Sequence, residues 1–342
     1  MTTQPLPEAK SLAVFADGIS SLAYLPSQAN HVASTCWDGT VRVHDTSSSP
    51  SAVLTQAMEA GPLLSLAVPV GGTTLVTGGM DGSVKLLDYS TSTVTLVGRH
   101  EGGGSTSSSA CSCLASLPDS PNLVASASWN RQFSLWDTRA RKAVATLELP
   151  GKAFSMDVTT GNRIVVATSG RRNVIVDIPA MNPKPEIVLD RESSLKFQTR
   201  TIRFFPDGRG FALGSVEGRV GVEFLEELQV PTNSMKRYAF KCHRVGDTVY
   251  PVNCIAFHPK FTDTFATGGC DGTVVLWDAG NKKKLTTLPS FPTSISAIAF
   301  NHDGSELAIA SSYTFEDGDR EHPQDELFVR SILESECLPK TK

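Results

Sequence analysis

Along this chain, short apolar runs end in small residues, pass through a polar turn and continue into a second apolar run. The pattern is clearest in CWDGTVRVHD at 36–45, GMDGSVKLLD at 79–88, SWNRQFSLWD at 128–137 and GCDGTVVLWD at 269–278, preceded by runs such as VAST, LVTGG, VASAS and FATGG. Two weaker copies, SGRRNVIVDI at 169–178 and SVEGRVGVEF at 215–224, follow VVATS and FALGS. Alternating or continuously apolar stretches of this length predict strands. Asp-Gly between them supplies the positive φ angles of a tight hairpin, and the final Asp falls where the next strand begins. Each copy therefore reads as two strands of an antiparallel sheet.

The spacing of the copies, with several ending in Trp-Asp, matches the roughly 40–45-residue period of WD-repeat propeller blades. One four-stranded blade cannot bury both of its faces; stacked radially, the blades cover one another. Six copies are readable. A seventh is expected from strands near Ser294 to Phe300, Glu306 to Ser312 and Glu326 to Ile332, with residues 314–325 as an insertion between the last two. A strand near Lys10 to Phe15 would complete it. The expectation is an all-β fold: a single seven-bladed WD-repeat β-propeller over residues 1–342, closed by an N-terminal strand. Low-complexity EGGGSTSSS at 101–109 reads as a flexible loop, and Met181 to Phe197 as a connection between blades.

Composition changes this picture little. At about 150 residues per domain, 342 residues alone would suggest two domains; the repeat replaces that count with one ring. Hydrophobic residues make up 40%, charged residues 19%, and there are 27 Gly and 20 Pro, which suits a turn-rich β protein. A net charge of −4 argues against a dedicated nucleic-acid binder. The seven Cys read as reduced thiols packed as small hydrophobes, and no His lies at zinc-finger spacing from Cys111 and Cys113. Neither a signal peptide nor an apolar stretch long enough to span a bilayer is expected. Motifs of hydrolases, zinc proteases, P-loops and dinucleotide sites are missing, and the seven His read mostly as loop or strand-edge residues. Neither an enzyme nor a bound metal or cofactor is expected.

Binding chemistry is better marked. Trp136 and Trp277 sit in the repeat's own Trp-Asp position, where packing accounts for them. Trp37 and Trp129 instead precede the hairpin turn, at a rim or face, as a protein-binding anchor would. Between Arg191 and Arg244 lie ten Lys/Arg against six Asp/Glu, whereas Phe315 to Lys342 has eight acidic against four basic residues. The basic cluster points to an acidic or phosphorylated peptide.

FQTR at 197–200, EGRVGVEF at 217–224, YAFKCHR at 238–244, YPVNCIAFHP at 250–259, FATGGCDGTVVLWD at 265–278 and LAIASSYTFEDGDREHPQDELFVR at 307–330 resemble the spindle-checkpoint WD-repeat family of the Bub group, Bub-three type. The resemblance implies a nuclear adaptor, at kinetochores in mitosis, that recruits checkpoint kinases or pseudokinases through a short paired-glutamate motif. By matched positions, Arg200 and Arg244 would pair with the glutamates, flanked by Trp37 and Trp129. It also implies binding of phosphothreonine in Met-Glu-Leu-Thr-like repeats of a kinetochore scaffold, with Arg219 and Lys241 on the phosphate. It implies no small-molecule substrate, membrane or direct nucleic-acid partner, and a monomeric propeller. The alternative is the sibling RNA-export WD-repeat family of the Rae/Gle type. That family carries an aromatic-rich insertion where this chain has no aromatics between Phe315 and Phe328.

Overall fold

A computed structural model describes residues 7–49, 51–58, 61–102, 109–225 and 236–338. Seven four-stranded antiparallel sheets, the blades, succeed one another along the chain, with a two-stranded hairpin, Arg244–Val245 and Thr248–Val249, between the fifth and sixth. Blade 1, for example, runs Ile19–Leu25, Gln28–Cys36, Thr40–Asp45, Ala52–Ala57. The first strand of each blade contacts the first strands of both neighbouring blades, and the seventh blade's contacts the first's. The ring is thus closed, with first strands innermost.

The burial pattern explains the architecture. Seven apolar clusters lie each between two adjacent blades. Phe133, Phe211 and Phe265 are fully buried there, and each such side chain contributes about 1.5–3 kcal/mol. Blade 7 comprises Ile295–Phe300, Glu306–Ser311, Asp325–Ser331 and, outermost, the N-terminal strand Lys10–Phe15. The latter pairs antiparallel with its neighbour, Ser11 opposite Phe328 and Phe15 opposite Asp325. Residues 312–324 carry no strand.

Two expectations need correction or placement. The segment read as a connection, 181–197, contains the outer strand of blade 4, Glu186–Glu192. Its side chains are mostly exposed, so it lacks the apolar alternation that marks an inner strand. Most of the loop expected at 101–109, residues 103–108, lies outside the described residues.

The repeat-final Asp residues cap the following turn: the Ser47, Ser90 and Arg139 amides donate to Asp45, Asp88 and Asp137 at 2.8–2.9 Å. Most His residues lie outside strands, as expected, but some of these loop residues are buried. His100 and His243 are buried in chains of hydrogen bonds that staple second and third strands to the incoming segment. In blade 6 the Trp277 indole N–H donates to Thr267 Oγ1 (2.9 Å), which bonds His243 Nε2 (2.8 Å), while Nδ1 meets Asp271 at 2.9 Å. Blade 3 repeats this with Trp136, Ser126, His100 and Gln132.

Candidate functional site

One end of the ring carries the turns between second and third strands, including those at Trp37 and Trp129; we call it the top face. In every inner strand, near this face, the pairing register slips past one residue: Ser20, Leu64, Ser112, Phe154, Arg200, Asn253 and Ser296. A β-bulge re-aims its extra side chain. Here the seven re-aimed residues ring the mouth of the central channel, and Arg200 alone among them is charged.

Above this ring lies a cavity of about 570 Å³ lined by Trp37, Trp129, Phe154, Phe315, Leu64 and Arg200, among others. Trp37 is 43% exposed and Phe315 59%. Phe315, from the segment between the second and third strands of blade 7, has φ +56°, a left-handed conformation costly for a bulky residue. Its ring lies 5.2 Å from that of Tyr313. Half-buried Arg200 makes no hydrogen bond or ion pair among the described residues.

Two other cations, Arg219 and Lys241, lie further out on the same blade, and Arg244 follows in the hairpin after it. Blade 5 consists of Thr199–Phe204, Gly210–Ser215, Arg219–Phe224 and Tyr238–Lys241, in that order from the channel. Thr199 pairs with Ser215, and Arg219 with Lys241. Arg200, Arg219 and Lys241 therefore stand at the top ends of the inner, third and outer strands. Directly opposed residues of an antiparallel pair share a face, and like charges there repel. Glu217 tempers this, its carboxylate 3.6 Å from Arg219 Nε. Arg244 donates from Nη2 to the Glu217 carbonyl at 2.8 Å. Gly218 keeps this turn tight: at φ +60°, its Cβ would stand 2.8 Å from the Cys242 carbonyl.

The structure thus forms two groups. Trp37, Trp129 and Arg200 share the cavity at the mouth. Towards the rim, Arg219 and Arg244 meet at Glu217, with Lys241 opposite Arg219, so Arg244 sits with the outer group rather than beside Arg200. Its place is fixed by its neighbour His243, stapled to Asp271 and Thr267. Other basic residues of the 191–244 stretch have structural partners: Arg191 pairs with fully buried Glu223, and Arg209 with Asp263 and Asp207.

The WD domain, G-beta repeat family matches residues 9–45, 50–88, 98–137 and 236–278, stretches that end with the third strands of blades 1, 2, 3 and 6. The chain is 40% identical over 332 residues to "Mitotic checkpoint protein bub3" of Dictyostelium discoideum, covering 95% of both chains. It is also 40% identical over 337 residues to "Mitotic checkpoint protein BUB3.1" of Arabidopsis thaliana, covering 95% of this chain and 93% of that one. The chain belongs to the Bub3 family of mitotic checkpoint proteins. Similarity to "Poly(A)+ RNA export protein" of Schizosaccharomyces pombe is lower, 31% over 337 residues, with 95% and 91% covered.

In this Bub3-family propeller the sequence reading missed Phe154 and Phe315 as parts of the mouth. In a regular strand Phe154 would share a face with Met156, which is 5% exposed; the bulge turns it to the cavity. Its available signal was positional, the residue matching Arg200 one blade earlier. All seven cysteines are buried free thiols, with burial pushing Cys113 up to about 11. Among the described residues no group of His, Cys, Asp or Glu could hold a metal ion, and no helix is long and apolar enough to cross a membrane.

Proposed function

We propose that this protein is a non-enzymatic spindle-checkpoint adaptor whose top face reads two short peptide signals. Arg219 and Lys241 hold a phosphothreonine in repeats of a kinetochore scaffold. Arg200 and Arg244, with Trp37 and Trp129, receive the paired-glutamate motif of a checkpoint kinase or pseudokinase. The protein acts in the nucleus and, in mitosis, at kinetochores. What carries the reading is an excess of cationic charge on one blade: Arg200 has no partner among the described residues, and Arg219 and Lys241 face each other with one carboxylate, Glu217, against two cations. A fold gains nothing from such an arrangement, whereas an incoming anion does. A phosphothreonine brings about −1.5 to −2 charges near pH 7, which two cations nearly neutralise.

The test is Arg200→Glu against the double variant Arg219→Ala/Lys241→Ala. The first should abolish capture of the paired-glutamate kinase partner from mitotic extract; the second should weaken phosphorylated, not unphosphorylated, scaffold peptide. Normal kinase capture by Arg200→Glu would remove Arg200 from the site. Equal affinity of the unmodified protein for both peptide forms would end the phosphate reading.

A further inference from the structure

The cavity at the mouth has two charged residues in its lining, Arg200 in blade 5 and Asp17 at the entry to blade 1. Blades 6 and 7 separate them on one side, and blades 2 to 4 on the other. Asp17 is exposed, and its Oδ1 accepts from the Gly18 amide at 2.7 Å. Its other oxygen makes no hydrogen bond, and it has no ion pair among the described residues. The Trp37 amide donates to the Gly18 carbonyl at 2.8 Å, which ties the Asp17 loop to the turn that carries the most exposed indole of the cavity. Between the charges the lining is largely apolar: Trp37, Trp129, Phe154, Phe315 and Leu64.

An apolar cavity between one fixed positive and one fixed negative charge discriminates by direction. A peptide laid across it gains from both ends in one orientation and meets like charges in the other. Resting on the reading of this face as a peptide site, we infer that its ligand is bipolar: an acidic residue at Arg200, a bulky apolar side chain in the cavity and a basic residue reaching Asp17. Asp17 is the specificity-determining residue for the basic end.

The test is selection of a displayed library of random 16-residue peptides on the unmodified protein and on Asp17→Lys. The unmodified protein should enrich peptides with acidic, apolar and basic positions in fixed order; Asp17→Lys should keep the first two and lose the basic one. For a synthetic selected peptide, Asp17→Asn, which retains an acceptor for the Gly18 amide, should weaken binding by about three- to tenfold at low salt. The same peptide with its basic residue replaced by Ala should bind both proteins alike. Acidic-apolar peptides with no basic preference on either protein would overturn the role of Asp17 and leave the peptide site standing. No acidic enrichment on the unmodified protein would overturn the peptide site and this inference with it.

Discussion

The Arg219–Lys241 pair offers a test in which binding and stability move in opposite directions. Opposed like charges on neighbouring antiparallel strands cost about 0.2–1 kcal/mol. Lys241 is exposed and the Arg219 side chain 33% exposed, so solvent screening places the cost in the lower half of that range, about 0.2–0.5 kcal/mol. Lys241→Gln removes the repulsion while keeping a long polar side chain at the end of the strand. It should raise the melting temperature slightly, by roughly 1 °C or less for a chain of this size, and the gain should fade as added salt screens the pair. Binding should fall at the same time. A charge-assisted hydrogen bond contributes about 1.5–3 kcal/mol, so affinity for a phosphothreonine peptide should drop roughly 10- to 150-fold, with the unphosphorylated peptide unaffected. Thermal melts at two salt concentrations and fluorescence anisotropy with the paired peptides measure both effects. An unchanged ratio of phosphorylated to unphosphorylated affinity would refute the assignment. A fall in stability would show instead that Lys241 is held by its own fold.

Other consequences can be measured directly. Phe315→Gly relieves a left-handed aromatic at the cavity edge, so it should leave stability within about 1 kcal/mol while weakening the kinase partner in a pull-down. Gly98 stands where a Cβ would come within 2.1 Å of Trp136 Cζ3; Gly98→Ala should destabilise by about 1–3 kcal/mol in urea titration, through overpacking. Burial lowers His100 from 6.5 to about 4, so the unfolded chain binds the extra proton first as pH falls. Its contribution is complete above pH 6.5 and is lost between there and pH 4, on the order of 3 kcal/mol. His100→Gln should flatten that part of the stability profile.

The blades were readable because each inner hairpin carries two independent signals, apolar strands and a turn that demands positive φ; Gly39, Gly82 and Gly272 have φ of +81°, +82° and +71°. The closing strand was legible for the same reason, an apolar run with nothing local to pair with. Glu186–Glu192 was not, because an outermost strand faces water and is held by backbone bonds that leave no mark on residue type. The His staples were hidden by distance. His243 meets Thr267 24 residues later and His100 meets Ser126 26 residues later, so neither contact shows in local sequence. At the site, residue type marked Trp37, Trp129 and a stretch of ten cations, and the family resemblance, not charge, picked Arg200, Arg219 and Lys241 out of that stretch. The grouping of Arg244 with Glu217 depends on the distant partners of His243, and that of Phe154 with the mouth on a register slip; no single residue announces either.

The outer strand of blade 7 joins two ends of the chain; Ser11 hydrogen-bonds Glu326, 315 residues away. During synthesis at about 5–20 residues per second, the N-terminal strand must wait roughly 15–60 s for its partner to be made. Throughout that interval the unfinished ring exposes an open blade face at each end and an unpaired edge, the kind of surface on which nascent chains stick to one another. Closure is the step with the longest loop to bring together. Production of this protein should therefore be limited less by its final stability than by how well it is shielded until the two ends meet.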